Sequence, residues 1–204
     1  MSKWLVIDAS IAHDARPGKL KFINFFNTLE IVKKLGYCVV MTPFISEEWR
    51  HVGSEYALLW RSEMISMGRL GIIDAVTIKG TCICLNGAIH SETCMQEMLK
   101  DFPLIIAALN KDKIIISKDD AARKFFADAS HHIIEMKIIM WVNPNRDEEK
   151  PIQWLEAGAE NEAFRQLGHF FDDRKIKNTL LPEEILFETF LFETNPTSSG
   201  DIVD

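Results

Sequence analysis

Over the first 142 residues, short apolar runs alternate with stretches whose apolar residues recur at helical spacing. Trp4–Ile7 is a four-residue apolar run that stops at Asp8 and reads as a strand. After a polar turn with Pro17 and Gly18, Phe22, Phe25, Phe26, Leu29, Val32 and Leu35 repeat at helical intervals, and Gly36 closes the helix. Tyr37–Met41 is a second strand, and Pro43 opens a helix that begins near Phe44 and runs through Glu48 and Trp49. A helix over Tyr56–Met67 ends at Gly68, strand character follows over Ile72–Ile78, and Ser91–Leu99 is helical again. Asp101-Phe102-Pro103 has the form of a fresh helix start, with Asp101 capping free N–H groups and Pro103 in the first turn. That helix continues over Leu104–Leu109. Lys113–Ser117 is a β-branched strand, followed by a helix near Asp119–Ala127 and a last strand at Lys137–Val142.

Near-continuous apolar strands separated by helices indicate a parallel sheet covered on both faces, hence an α/β fold. Apolar residues make up 47% of the 204-residue chain and charged residues 26%, which is globular usage and excludes a disordered chain. Lys and Arg balance Asp and Glu through residue 150, so the net charge of −7 belongs to the last quarter. A protein that grips nucleic acid over its whole surface has the opposite bias. The shift falls at Asn143-Pro144-Asn145-Arg146-Asp147-Glu148-Glu149-Lys150-Pro151, which reads as a linker. It divides the chain into a body, residues 1–143, and an acidic, mostly helical extension, residues 144–204, with a frayed end. Residues 152–170 have an amphipathic stripe of Ile152, Leu155, Ala159, Ala163, Leu167 and Phe170. Residues 181–193 combine seven large apolar side chains with four glutamates, an expected contact surface for the body, a second copy of the chain or another protein. No apolar run approaches the roughly 18 residues of a membrane span, and the first residues have too short an apolar core for a signal peptide. A cytoplasmic location is therefore expected. Cys38, Cys82, Cys84 and Cys94 form no C-x-x-C pair and are expected to be reduced and buried.

Ligands of open parallel sheets sit outside the carboxyl ends of the strands. Asp8 directly follows the first strand, Asp119 and Asp120 follow Ile114-Ile115-Ile116-Ser117, Asp101 precedes the apolar helix before that strand, and Glu47 and Glu48 follow the second strand. Carboxylates sharing one small volume repel, and a cation or a shared proton relieves them. An all-oxygen set suits Mg²⁺ or Mn²⁺, and no His/Cys spacing suggests zinc. Each acid has a plainer role open to it: a turn residue or helix cap for the aspartates, a solvated helix residue for one of the two glutamates.

Four blocks in order carry a resemblance. Leu5-Val6-Ile7-Asp8-Ala9-Ser10, Pro43-Phe44-Ile45-Ser46-Glu47-Glu48-Trp49, Asp101-x-x-Leu104-Ile105-x-Ala107-Ala108-Leu109 and Ile114-Ile115-Ile116-Ser117-Lys118-Asp119 resemble the PIN-domain nucleases over residues 4–142. The resemblance implies a three-layer α/β/α fold, one or two Mg²⁺ or Mn²⁺ ions, and hydrolysis of phosphodiester bonds, usually in RNA. It implies Asp8, Glu48, Asp101 and Asp119 as catalytic metal ligands, with Glu48 preferred to Glu47 because an apolar residue follows it. Asp8 and Asp101 are then the principal ligands, with Glu48 and Asp119 holding a second ion or ordering metal-bound water. Ser10 and Ser117 match supporting positions, and Asp120 is a further ligand or a helix-start charge. Basic residues near these loops, Arg16, Lys19, Lys21, Arg50, His51, Lys118, Arg123 and Lys124, are candidates for holding substrate phosphates or ordinary solvated surface.

Two phosphoryl-handling rivals fit less well. A haloacid-dehalogenase-type phosphatase wants an aspartate where Ser10 stands, and a receiver domain wants paired acids after the first strand, whereas Asp14 is six residues on. No Gly-rich phosphate loop is present, and His90, His131 and His132 match no catalytic pattern. The expectation is an endoribonuclease acting on single-stranded RNA: the toxin of a toxin–antitoxin pair, with an antitoxin as partner, or an RNA-processing or defence nuclease. The rival from another class is a PIN-like module that binds RNA or protein without cutting.

Overall fold

The computed structural model describes residues 2–73 and 92–170, with the backbone alone over 92–99. Five short strands, β1 (Trp4–Ile7), β2 (Cys38–Met41), β3 (Leu70–Ile72), β4 (Ile114–Ile116) and β5 (Met140–Val142), form one sheet in the order β3-β2-β1-β4-β5. All four pairings are parallel. Helices flank the sheet in a three-layer α/β/α arrangement: α1 (Ala9–Asp14), α2 (Ile23–Leu35), α3 (Pro43–Val52), α4 (Glu55–Ser66), α5 (Glu92–Leu109), α6 (Asp120–Ser130) and α7 (Pro151–Glu156). Leu5, Ile7, Val39, Val40, Ile115 and Val142 are almost fully buried, the pattern of strands covered on both faces.

The chain lays β2 and β3 on one side of β1, then crosses to lay β4 and β5 on the other. The strand order therefore reverses between β1 and β4, where such sheets open a crevice at the carboxyl ends of their strands. Register fixes what lies there. Val6 pairs with Ile115 and Ile7 with Ile116, so the next residues, Asp8 and Ser117, stand level at the rim.

Local chemistry explains the element ends. Gly36 adopts the left-handed conformation (φ 80°) that closes α2, a shape that costs glycine little. Thr42 caps α3 by accepting from the Ile45 N–H, and Pro43 occupies its first turn. Trp49 and Trp60 are fully buried and stack with centroids 5.9 Å apart.

Several elements differ from the sequence expectation. Asp101 does not open a helix: α5 is continuous from Glu92 to Leu109 and passes through Pro103. A proline inside a helix removes one hydrogen bond, but here Leu104, Ile105, Ala107 and Ala108 are buried, and α5 packs on β1, β2 and β4. The third strand is Leu70–Ile72, earlier than expected, and residues 74–91, including Cys82, Cys84 and His90, lie outside the described residues. The last strand is shorter than expected, because Ile134–Met136 forms a 3-10 turn before it. Cys38 is half-buried and unpaired.

The segment beyond Asn143 is not a free linker. Trp154, Leu155, Ala159 and Leu167 join the same apolar core as the sheet, and the Tyr37 hydroxyl donates to the Leu155 carbonyl at 2.6 Å. Nor is 152–170 one helix, because Gly158 (φ 92°) and Ala159 (φ 51°) turn the chain out of helical conformation soon after Glu156. The apolar segment 181–193 lies outside the described residues. Among the described residues no helix is long and apolar enough to cross a membrane.

Candidate active site at the sheet switch point

Asp8 ends β1 and caps α1, and it is 6% exposed. Its Oδ1 accepts from the Ser10 N–H at 3.1 Å, and its Oδ2 accepts from the Ser10 hydroxyl at 2.6 Å and the Ser117 hydroxyl at 2.5 Å. Ser117, fully buried, also accepts the Asp119 N–H at 3.1 Å. One hydroxyl thus ties the acid after β1 to the backbone that carries the acid after β4. Asp119 caps α6, with Oδ1 accepting from the Ala122 N–H at 2.8 Å. Its capping role and a role at the rim are compatible, because a carboxylate has about four acceptor positions.

Glu48 reaches the cluster from α3. The neighbouring Trp49 donates its indole N–H to the carbonyl of Ile7 at 2.9 Å, pinning α3 to the end of β1 beside Asp8. Burial, and after it the charge of Asp8, pushes the Glu48 carboxyl above its ordinary range. Glu47 faces away, with Arg50 at 2.5 Å and His51 at 2.8 Å. The two adjacent glutamates therefore separate into one that faces the cluster and one occupied with cations of its own helix.

Asp101 completes the set from within α5. Burial, then the charges of Asp8, Asp119 and Glu48, raise its carboxyl from 3.8 to about 7, against a small opposing effect of Lys100. Among the described residues no hydrogen-bond donor reaches the carboxyl of Glu48 or Asp101. Two partly buried carboxyls without donors, in the field of two more, have a strong need for a cation or a proton. The oxygen-only donor set fits a hard divalent cation such as Mg²⁺ or Mn²⁺. Among the described residues no three ligating side chains are already gathered closely enough to hold an ion as they stand.

The other candidates divide. Asp120 is not at the cluster: it opens α6 and takes Arg146 in a forked pair at 3.0–3.2 Å, which leaves it the helix-start role. Arg123 cannot hold a substrate phosphate. It is 2% exposed, and its guanidinium bonds Glu149 at 2.5 Å. Arg50 is occupied by Glu47. Lys118 bonds Asp14, while Arg16 and Lys19 have no carboxylate partner among the described residues.

Asn143 is a residue that sequence reasoning misses. It is 4% exposed, and its side-chain amide donates to the Lys118 carbonyl at 3.2 Å, bracing the turn between Ser117 and Asp119. Its own N–H donates to Glu149 Oε2 at 3.2 Å. Glu149 lies in turn between Arg123 and Arg165, so the C-terminal arm clasps the turn that carries a site acid. The sequence signal was an apolar run ending in Asn-Pro-Asn, which spells a turn and conceals the clasp. No protein-family model, curated protein or solved structure matches this chain, so its functional reading rests on the geometry of the rim.

Proposed function

We propose that this protein is a divalent-metal-dependent nuclease that hydrolyses phosphodiester bonds, with single-stranded RNA as its substrate. One observation carries the reading: Asp8, Glu48, Asp101 and Asp119, from four different elements, come within electrostatic reach of one another at the switch point of the sheet. The PIN-like order of the four acid-bearing blocks supports the same reading. Asp8 and Asp101 are the principal candidate ligands, and Glu48 and Asp119 are suited to a second ion or to ordering its water. Held there, one or two such ions would supply positive charge for the attacking and leaving oxygens and would lower the pKa of water.

The chain's own residues do the holding. Ser10 and Ser117 fix the orientation of Asp8 through three hydrogen bonds. The Trp49–Ile7 bond keeps Glu48 turned toward it, and Asn143 braces the turn before Asp119. Fixed orientation of this kind suits in-line displacement, where orientation supplies much of the rate.

Cleavage of end-labelled single-stranded RNA in Mn²⁺, with EDTA and Asp8→Asn as controls, tests the proposal. Cleavage is expected to need the ion and to vanish in Asp8→Asn and in Asp101→Asn, each still folded by circular dichroism. Cleavage that survives in both variants, or none by the unaltered protein with any divalent ion, removes the nuclease reading. The second result leaves the non-cutting RNA- or protein-binding module.

A further inference from the structure

The cations beside the acidic cluster are unequal. On the α3 side, Arg50 and His51 both face Glu47, so that helix neutralises its own surface. On the α1 side, Arg16, Lys19, Lys21 and Lys118 are accompanied by one carboxylate, Asp14. Asp14 is buried and shared between Lys118 and His13, which lies 2.7 Å away. Arg16, Lys19 and Lys21 have no carboxylate partner among the described residues.

Three of these cations, Arg16, Lys21 and Lys118, rest on aromatic rings. The Lys118 ammonium lies 5.8 Å from the centroid of Phe25, on the first turn of α2. Three residues earlier, Phe22 carries Arg16 at 5.5 Å and Lys21 at 5.6 Å from its ring. Cation–π contact holds a charged head in place while leaving its N–H donors available to a phosphate. Between Arg16 and Phe22 the chain stands clear of the body, with Lys19 and Lys21 exposed and Leu20 90% exposed. The ridge is also joined to the rim. Lys118 sits between Ser117 and Asp119, and Asp14 ends the six-residue helix that Asp8 begins, about 9 Å away at 1.5 Å per residue.

We propose that this ridge, from Lys118 to Phe22, is the track along which a single-stranded RNA leaves the acidic rim, on the α1 side and not the α3 side. The proposal rests on the nuclease reading for the rim and adds where the strand lies. A strand pulled to the rim meets four repelling carboxylates there, and the neighbouring Arg16, Lys19 and Lys21, without a carboxylate partner among the described residues, supply the attraction that the rim lacks. Exposed and half-buried cations along a ridge suit a flexible single strand, whose phosphates can follow an irregular line.

The test uses the full chain with Asp8→Asn to stop cleavage, and fluorescence anisotropy of a labelled oligouridylate in Mg²⁺ across a salt series. Adding Arg16→Ala and Lys21→Ala is expected to weaken binding at least tenfold and to lower the log–log salt slope by about 1.4, about 0.7 per cation for single strands. Arg50→Ala in the same background is expected to change neither. An unchanged affinity in the double variant, or an equal loss from Arg50→Ala, overturns the track. Equal affinity for a duplex, lost in the same variants, overturns the single-strand assignment. The two readings fail separately: if the unaltered protein binds through the ridge but never cuts, the track stands and the nuclease falls.

Discussion

Neutralising Asp101 should stabilise the protein in the absence of metal, although the residue stands at the centre of the proposed chemistry. Burial and three neighbouring carboxylates raise its carboxyl from 3.8 in an open chain to about 7 in the fold. At about 1.4 kcal/mol per pH unit, that gap corresponds to about 4 kcal/mol held against folding at high pH. Asp101 is only partly buried, so solvent screening reduces the figure, and about 2 kcal/mol is the working value. The sign follows from proton binding. Between pH 3.8 and about 7 the folded chain holds a proton that the unfolded chain has released, so stability falls as pH rises through that window and then levels off. Asp101→Asn keeps the shape and the helix but cannot ionise. Urea unfolding in EDTA at pH 8 is expected to show the variant more stable by about 2 kcal/mol, with the difference fading toward pH 4. A variant no more stable at pH 8, or an advantage that persists unchanged at pH 4, would refute the claim that these carboxyls strain one another.

The converse measurement adds the ion. Saturating Mn²⁺ should raise the melting temperature over EDTA by roughly 5–10 °C, the effect of about 2.7 kcal/mol of binding at 100 times Kd in a domain of this size. Asp8→Asn should remove most of that rise, and identical melts with and without metal would count against the site. Glu149→Ala should cost about 3–5 kcal/mol in urea unfolding, because it strands the buried guanidinium groups of Arg123 and Arg165; a loss under about 1 kcal/mol would mean the pair behaves like a surface bridge. Removing residues 151–204 should give insoluble protein, since it takes Trp154, Leu155 and Leu167 out of the core. Removing only 171–204 keeps Trp154, Leu155 and Leu167 in the chain and takes away eight acids and three bases. RNA cleavage should then rise if the acidic tail competes for the basic ridge, and unchanged activity with an unchanged oligomeric state by sedimentation would exclude both competition and tail-mediated assembly.

The strands and most helices were legible because burial on both faces writes itself as unbroken apolar runs such as Ile114-Ile115-Ile116. The acids were legible because strand ends in a parallel sheet share one edge, so a carboxylate just after Ile7 or Ser117 has few places to go. What local patterns hid were outcomes of packing between distant segments. Asp101-Phe102-Pro103 spells a helix start, yet the buried face at Leu104, Ile105, Ala107 and Ala108 keeps α5 continuous through the proline. Arg123 looks like a free cation beside Asp119 until Glu149, 26 residues on, folds back to claim it. Between Glu47 and Glu48 the resemblance already prefers Glu48 for the apolar residue after it, and the seating of that residue, Trp49, against Ile7 is the packing that sets Glu48 beside Asp8.

That seating also bears on why the strain is tolerated. A fold could remove the repulsion at its switch point with one asparagine, and this chain instead surrounds the acids with devices that hold them in place. Ser10 and Ser117 spend their hydroxyls on Asp8, the Trp49 indole fixes the helix behind Glu48, and the Asn143 amide braces the turn before Asp119. None of these bonds lessens the negative charge of the cluster as a whole, and each restricts where it can go. Structural carboxylates on a surface are free to turn into water and shed their repulsion. On the proposed function, carboxylates held together against that option await something that arrives from outside with positive charge. The proposed basic ridge would follow the same logic one step further out, where Arg16 and Lys21, without a carboxylate partner among the described residues, would attract a polyanion that the rim repels.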